Sequence, residues 1–169
     1  MFDEDSVIIQ TGALTDSMGM ILHTNIGAEQ LTGYSVNELT IMNIDKLMPN
    51  PYRMKHQGYL EEVYYTGITT ILNREQVTYL KNKAGCIVPI SLLVKPMFDS
   101  KGCNFYYLSY VQIFKEKTEV VLTNRFGKIY GFTEQLGHFF GWGPEEFERR
   151  QFFIQCFIPK FLPVFESIS

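Results

Sequence analysis

The sequence predicts an α+β fold: a five-stranded antiparallel sheet with short helices and one longer helix on one face. Three observations predict it. The stretch from Asp16 to Leu39 reads as a tight turn, a short strand and two short capped helices. Residues 51–66 carry apolar side chains at helical spacing behind an Asn50-Pro51 start. Residues 76–114 hold three β-type runs separated by the turns Lys81-Asn-Lys-Ala-Gly85 and Asp99-Ser-Lys-Gly102. Runs of strands set apart from helices point to an α+β architecture, not an alternating one.

Val7 to Thr15 opens the chain as a strand, with β-branched Val7, Ile8, Ile9 and Thr11 early. Asp16 can begin a type I turn with Gly19 as its fourth residue, and a strand Met20–Leu22 follows. Asn25 has the side chain of an N-cap, and Gly33 stands where a short helix must stop with positive φ. Ser35 and Glu38 have the spacing of a capping box for a second short helix. Ile41 to Met48 is a short apolar helical turn that ends at Pro49.

The same stretch occurs twice. Moved on by 108 positions, Gly19 falls on Gly127, Asn25 on Thr133, Gly33 on Gly141, Tyr34 on Trp142 and Glu38 on Glu146. In the second copy Asn124 opens the turn, Thr133 caps the helix, and Gly143-Pro144 starts the next one. After a two-residue insertion, Ile154 to Pro159 falls on Ile44 to Pro49. A self-match at fixed offset marks a repeated structural unit.

From Pro51 to about Thr66 runs the longest helix, with Gly67 as its stop. Tyr52, His56, Tyr59, Leu60 and Val63 make one apolar face. Its charges oppose the helix dipole, basic early and acidic late, so packing of that face is expected to hold it. Three strands follow: Gln76–Leu80, Cys86–Val94 and Asn104–Phe114. Val88, Ile90, Leu92 and Val94 point one way. The last strand is apolar on both sides, with Phe105, Tyr107, Val111 and Ile113 on one and Tyr106, Leu108, Tyr110 and Phe114 on the other. An antiparallel sheet ordinarily leaves one face to water. A second apolar face is therefore expected to be covered by a flanking helix, another copy of the chain or a partner.

The run Gly19-x-Ile21 … Asn25 … Leu31-x-Gly33-Tyr34-Ser35-x-x-Glu38-Leu39 resembles the opening half of a PAS domain, a small sensory and interaction fold. Residues 7–114 resemble one complete PAS domain, 115–118 read as a linker, and 119–169 resemble the first half of another. About fifty residues with two short strands bury too little surface to be stable alone. Either the chain is a fragment of a longer protein, the preferred expectation, or 119–169 dock against the first unit or a partner. A weaker likeness, Leu-Met-Pro … His followed by a second start, is similar to the intracellular PAS region of large ciliate membrane proteins of the tiny-macrocysts type.

Composition narrows the function. The chain has 169 residues, 46% hydrophobic and 20% charged, with a net charge of −3. That is a globular composition, with no basic stripe for nucleic acid. No apolar run is long enough to span a membrane, and the acidic start Met1-Phe-Asp-Glu-Asp is unlike a signal peptide. Cys86, Cys103 and Cys156 are too few for a disulfide framework or zinc site, which points to a reduced, intracellular chain. No catalytic constellation is present: there is no Gly-x-Ser-x-Gly, Walker loop, His-Glu-x-x-His or kinase Asp-Phe-Gly.

His56 is the sharpest candidate for a cofactor site. Leu47-Met-Pro-Asn-Pro-Tyr-Arg-Met-Lys-His56-Gln-Gly-Tyr59-Leu60 resembles the haem-binding PAS domain of oxygen-sensor histidine kinases, which implies His56 as the axial iron ligand. Two positions depart from that family: Glu62 replaces an arginine near the propionates, and Gln76 replaces the arginine that holds bound oxygen. The plainer role for His56 is a core histidine bonded to a backbone carbonyl. Light-sensing PAS relatives carry a cysteine in an Asn-Cys-Arg-Phe-Leu-Gln-like run before the long helix. The corresponding run here, Asn43-Ile44-Asp45-Lys46-Leu47-Met48, has Ile44 in that place, so the resemblance argues against a covalent flavin adduct and leaves non-covalent flavin open. The other candidates have plain roles: Cys86 and Cys103 as small strand residues, His23 and His138 as filler without carboxylate neighbours, Tyr34 and Trp142 as covers over a helix end. The reading is a non-enzymatic PAS module without cofactor. It works through Tyr106, Leu108, Tyr110 and Phe114 by pairing with a second copy or a neighbouring protein, and the alternative is a haem or small-ligand sensor using His56.

Overall fold

The computed structural model describes residues 6–99, 104–114, 119–141, 143, 146 and 151–157. The first unit is a five-stranded antiparallel sheet in the order β2-β1-β5-β4-β3. Its strands are β1 (Val7–Gly12), β2 (Ile21–Thr24), β3 (Glu75–Lys81), β4 (Ile87–Phe98) and β5 (Phe105–Ile113). Between β2 and β3 lie α1 (Ile26–Thr32), α2 (Val36–Leu39), a 3-10 helix (Ile44–Leu47) and α3 (Tyr52–Thr66). The β1 strand therefore stops three residues before the expected Thr15, β2 begins at Ile21, and β4 runs four residues past Val94.

One face of the sheet carries the core. Val7 and Ile9 on β1, Ile90 on β4 and Val111 on β5 pack with Ile21, Ala28, Leu31, Leu39, Leu47 and Leu80. Val88 and Leu92 press against this cluster from the same side of β4, as their alternation predicts. Leu39 is fully buried, so Leu39→Ala is in the class of core truncations that cost about 2–5 kcal/mol.

The helix ends follow local chemistry closely. Gly33 ends α1 at φ 74° and its amide donates to Glu29 O, and Gly67 ends α3 at φ 68°. Ser35 Oγ accepts from the Glu38 amide while Glu38 Oε2 accepts from the Ser35 amide at 2.8 Å, a complete capping box. Two expected details differ. The turn hydrogen bond runs from Met20 N to Ser17 O, one residue later than expected, because the Gly19 amide is drawn back to Gly12 O. Asn25 stands at the N-cap of α1 but makes no cap bond. Its Oδ1 accepts from the Ile8 amide at 3.0 Å and its Nδ2 donates to Ser6 O at 2.8 Å, so it clamps β1 instead.

The long helix departs furthest from expectation. No residue of α3 is buried. Tyr52 and Tyr59 are about half exposed, at 47% and 48%, and only His56, Leu60 and Val63 are partly covered. Its contact with the rest of the fold is chiefly with the 3-10 helix. The expected five-residue apolar face is thus reduced to a stripe at i, i+4, i+7, one residue wide.

Residues 119–157 contain β6 (Val121–Thr123), β7 (Ile129–Phe132), α4 (Glu134–Phe140) and a second 3-10 helix (Ile154–Cys156). Several backbone devices of the first unit have counterparts here, although the turn closes from Gly127 N to Asn124 O at 2.9 Å, as expected, and not one residue later. Ile21 N donates to Met42 O at 3.0 Å, and Ile129 N to Phe152 O at 3.0 Å. Ile44 N donates to Gly19 O at 2.8 Å, and Ile154 N to Gly127 O at 2.7 Å. Gly19, Gly33, Gly127 and Gly141 all have positive φ. Thr133, like Asn25, makes no cap bond and instead accepts the Val120 amide at 3.3 Å. A small core of Ile129, Phe132 and Ile154 fills this unit, beside an apolar cavity of about 230 Å³ lined by Val121, Leu136, Phe140 and Phe157. The expected linker 115–118, and Cys103, Trp142, Pro144 and Pro159, lie outside the described residues.

Candidate functional site

The face of the sheet away from the core is built by β1, β5, β4 and β3. Because Val111, Ile90, Val7 and Ile9 face the core, their neighbours in sequence face out. Cross-strand register then sets the rows. Tyr110 lies between Ile8 and Leu93, Leu108 between Gln10 and Lys95, and Tyr106 between Gly12 and Met97. Tyr106, Leu108 and Tyr110 thus stand on one surface with Ile8, Leu93 and Met97. Phe114 lies beyond the end of β5, where its amide donates to Pro89 O at 3.1 Å, and it borders the same surface at its groove towards β3.

The side chains on this face partly cover one another. Tyr106, Leu108 and Tyr110 are each half-buried, and the Lys95 ammonium lies 5.8 Å from the Tyr110 ring centroid. Such a placement lets the lysine stem shield apolar surface while its charge stays in water. Met97 is 37% exposed and Val77 58% exposed. Towards β3 the surface dips into a groove of about 440 Å³ bordered by Glu75, Val77, Ser91, Gln112 and Phe114, where Ser91 Oγ donates to Glu75 Oε1 at 2.6 Å. The face thus combines aromatic and aliphatic side chains with a polar margin, the composition of association surfaces.

On the other side of the sheet, His56 does not bond a backbone carbonyl. Its Nδ1 lies 2.6 Å from Oδ1 of Asp45 on the 3-10 helix, and both side chains are 22% exposed. Asp45 is itself placed by Asn43, whose Oδ1 accepts the Asp45 amide at 3.0 Å and whose Nδ2 donates to Met18 O at 3.2 Å. Asp45 is the site residue that reasoning from the sequence missed: it lies eleven positions before His56 on a separate element, beyond Pro49, so no spacing within one helix or strand pairs the two. Glu62 is exposed on α3, and Gln76 is half-buried opposite Leu92. Neither of the two cavities named above lies between α3 and the sheet.

The remaining candidates take structural places. Cys86 is 5% exposed at the start of β4. Burial pushes its thiol pKa up, and the Glu134 carboxylate adds to the rise. Burial also raises the phenol of Tyr107, which faces the core side. Cys156 is exposed. His23 is exposed on β2. His138 does have a carboxylate neighbour, contrary to expectation: its Nε2 lies 3.8 Å from Glu134 Oε1, four residues earlier on α4. Tyr34 packs on the core beneath the Lys83 ammonium, 5.3 Å from its ring centroid. Among the described residues no group of three or more His, Cys, Asp or Glu side chains gathers as a metal site, and no helix is long and apolar enough to cross a membrane.

The sheet order and helix placement match solved PAS domains. The PAS domain of a protein from Colwellia psychrerythraea superposes with a TM-score of 0.50 at 20% identity, covering 65% of this chain and 86% of that one. This chain has the PAS fold. The PAS domain of the fruit-fly ELK potassium channel gives 0.51 at 17% identity, covering 68% and 92%. A fungal LOV domain photoreceptor gives 0.50 at 19% identity, covering 68% and 78%. At these identities the likeness concerns fold and not ligand or partner. In sequence, 81 residues are 37% identical to a probable serine/threonine-protein kinase of Dictyostelium discoideum, spanning 47% of this chain and 5% of that protein. No family model matches the chain.

Proposed function

We propose that residues 7–114 form a non-enzymatic sensory or regulatory PAS module that acts by association through the outer face of its sheet, with a second copy of the chain as the partner to test first. The observation that carries this reading is the surface formed by Ile8, Leu93, Met97, Tyr106, Leu108 and Tyr110 on three adjacent strands. Aromatic and long apolar side chains held rigidly on strands are the material of interface hot spots. The aligned stretch makes up 5% of the Dictyostelium discoideum protein and contains no kinase Asp-Phe-Gly motif. A charge at the centre of the surface, Tyr110→Asp, is expected to weaken self-association in sedimentation velocity and to leave the circular dichroism spectrum unchanged. Unaltered sedimentation of a chain that does self-associate counts against the reading.

The haem alternative has one observation in its favour. A carboxylate on Nδ1 leaves Nε2 as the ring nitrogen with a lone pair, the arrangement that orients many metal-binding histidines. Three observations oppose it. Glu62 would repel a propionate, Gln76 lacks the charge of the arginine it replaces, and α3 buries no residue that would wall an apolar pocket. Hemin titration with a His56→Ala control separates the two readings. A sharp Soret band that requires His56 supports haem, and a broad band independent of His56 supports the association module.

A further inference from the structure

Ile87 occupies an unusual place. It lies on β4 with its side chain on the outer face, since Val88, Ile90 and Leu92 take the core side. It belongs to neither hydrophobic cluster, yet it is 2% exposed. The backbone of β7 accounts for this burial. A Cβ built on Gly131 would lie 2.6 Å from both Cγ1 and Cδ1 of Ile87. The φ of Gly131 is not in the left-handed region, so this position needs glycine for space and not for backbone freedom. Gly131 alternates with Phe132, which faces its own small core, so it is the outward face of β7 that rests on Ile87. The matching position in the first unit is His23, which is exposed. Beside the contact, Cys86 is nearly inaccessible, and its thiol senses Glu134 at the start of α4.

We propose that Ile87 and Gly131 form an intramolecular docking joint that holds residues 119–157 on one end of the outer sheet face, and that release of the joint enlarges the face available to a second copy. The second half of this statement rests on the association reading above. Register gives the joint its position. Along β4 the outward residues run Ile87, Pro89, Ser91, Leu93, Lys95 and Met97. The second unit therefore takes the Ile87 end, while Tyr106, Leu108 and Tyr110 lie towards the Met97 end. The end of β5 that leads onward to the second unit, at Ile113 and Phe114, is the same end at which Ile87 sits, so the short connection brings the two together at small entropic cost. Association and docking then use neighbouring parts of one surface, and the occupant of the first part bounds what can reach the second.

The test uses the full chain and two readouts. Gly131→Arg places a side chain where none fits, in a strand whose backbone tolerates one. Cys86 labelling by N-ethylmaleimide, resolved by peptide mass spectrometry, reports the joint, and sedimentation velocity reports association. The expected result is a rise in Cys86 labelling of about tenfold, as for loss of a local closed state, with stronger self-association and an unchanged circular dichroism spectrum. Gly131→Ala is expected to give a smaller rise, which Ile87→Val reduces by returning volume. Unchanged Cys86 labelling in Gly131→Arg overturns the joint. Raised labelling with unchanged association overturns its control of the face while leaving the docking contact intact, and Tyr110→Asp then shows whether the association reading itself has failed.

Discussion

Asn25 accepts the amide of Ile8, and Thr133 accepts the amide of Val120, at 3.0 Å and 3.3 Å. In both units the residue at the start of the first helix reaches back to hold the first strand. The return bonds match as well, from Asn25 N to Ile8 O and from Thr133 N to Val120 O. Asn25→Ala leaves the Ile8 amide and the Ser6 carbonyl without their side-chain partner, so it should cost about 1–3 kcal/mol in urea unfolding. Thr133→Val should cost about as much, because the hydroxyl that accepts the Val120 amide also donates to the Glu119 carboxylate, so a donor–acceptor pair is lost there too.

Two glycines should respond to alanine with opposite sign. Gly33 ends α1 at φ 74°, a conformation that costs an L side chain about 1–2 kcal/mol. Gly58 lies inside α3, and a methyl group added there would meet nothing within 4 Å. Gly58→Ala should therefore favour α3 by about 0.5–1 kcal/mol. Urea midpoints report the first change, and amide exchange within α3 reports the second.

The acid limb of stability should depend on Glu38. Its pKa is lowered from 4.5, chiefly by the hydrogen bond from Lys83 and next by the Ser35 amide. The folded value lies below the unfolded one, so its contribution is complete above the unfolded value and is lost as pH falls through the folded value. Glu38→Gln should flatten the fall in urea midpoint below about pH 4.5, and Lys83→Met should do the same in part. An unchanged acid limb in both variants would contradict the assignment.

Asp45→Asn should loosen α3 while sparing the core. The helix buries no residue, and the His56–Asp45 pair is its strongest polar tie to the 3-10 helix. Amide exchange should rise across residues 56–66, with a loss of global stability of about 1 kcal/mol or less. A loss as large as that of a core truncation would mean that α3 packs more deeply than its exposure indicates.

The parts of the fold that were legible in the sequence are those governed by local chemistry. Gly33 and Gly141 with positive φ, the Ser35–Glu38 box and the alternation of β4 each depend on residues a few positions apart. What was not legible depends on distance in sequence. Asn25 has the right side chain for a cap, but a strand amide seventeen residues away takes its acceptor. The tyrosines of α3 recur at helical spacing, yet spacing cannot say whether anything lies opposite them, and Tyr52 and Tyr59 face water. At the candidate site, parity along β5 placed Tyr106, Leu108 and Tyr110 on one surface. It could not supply Leu93, Met97 and Ile8, which join them only through register, nor the meeting of Ile87 with Gly131 across two units.

The most direct test of association through the outer face is oxidative footprinting of two methionines as a function of protein concentration. Met97 lies on that face beside Tyr106, and Met54 lies on α3 at 79% exposure as an internal control. The account predicts that Met97 becomes protected as concentration rises, that Met54 does not, and that Tyr110→Asp abolishes the protection. A Met97 oxidation rate that stays constant over a range in which the chain self-associates would place the contact elsewhere and contradict the account.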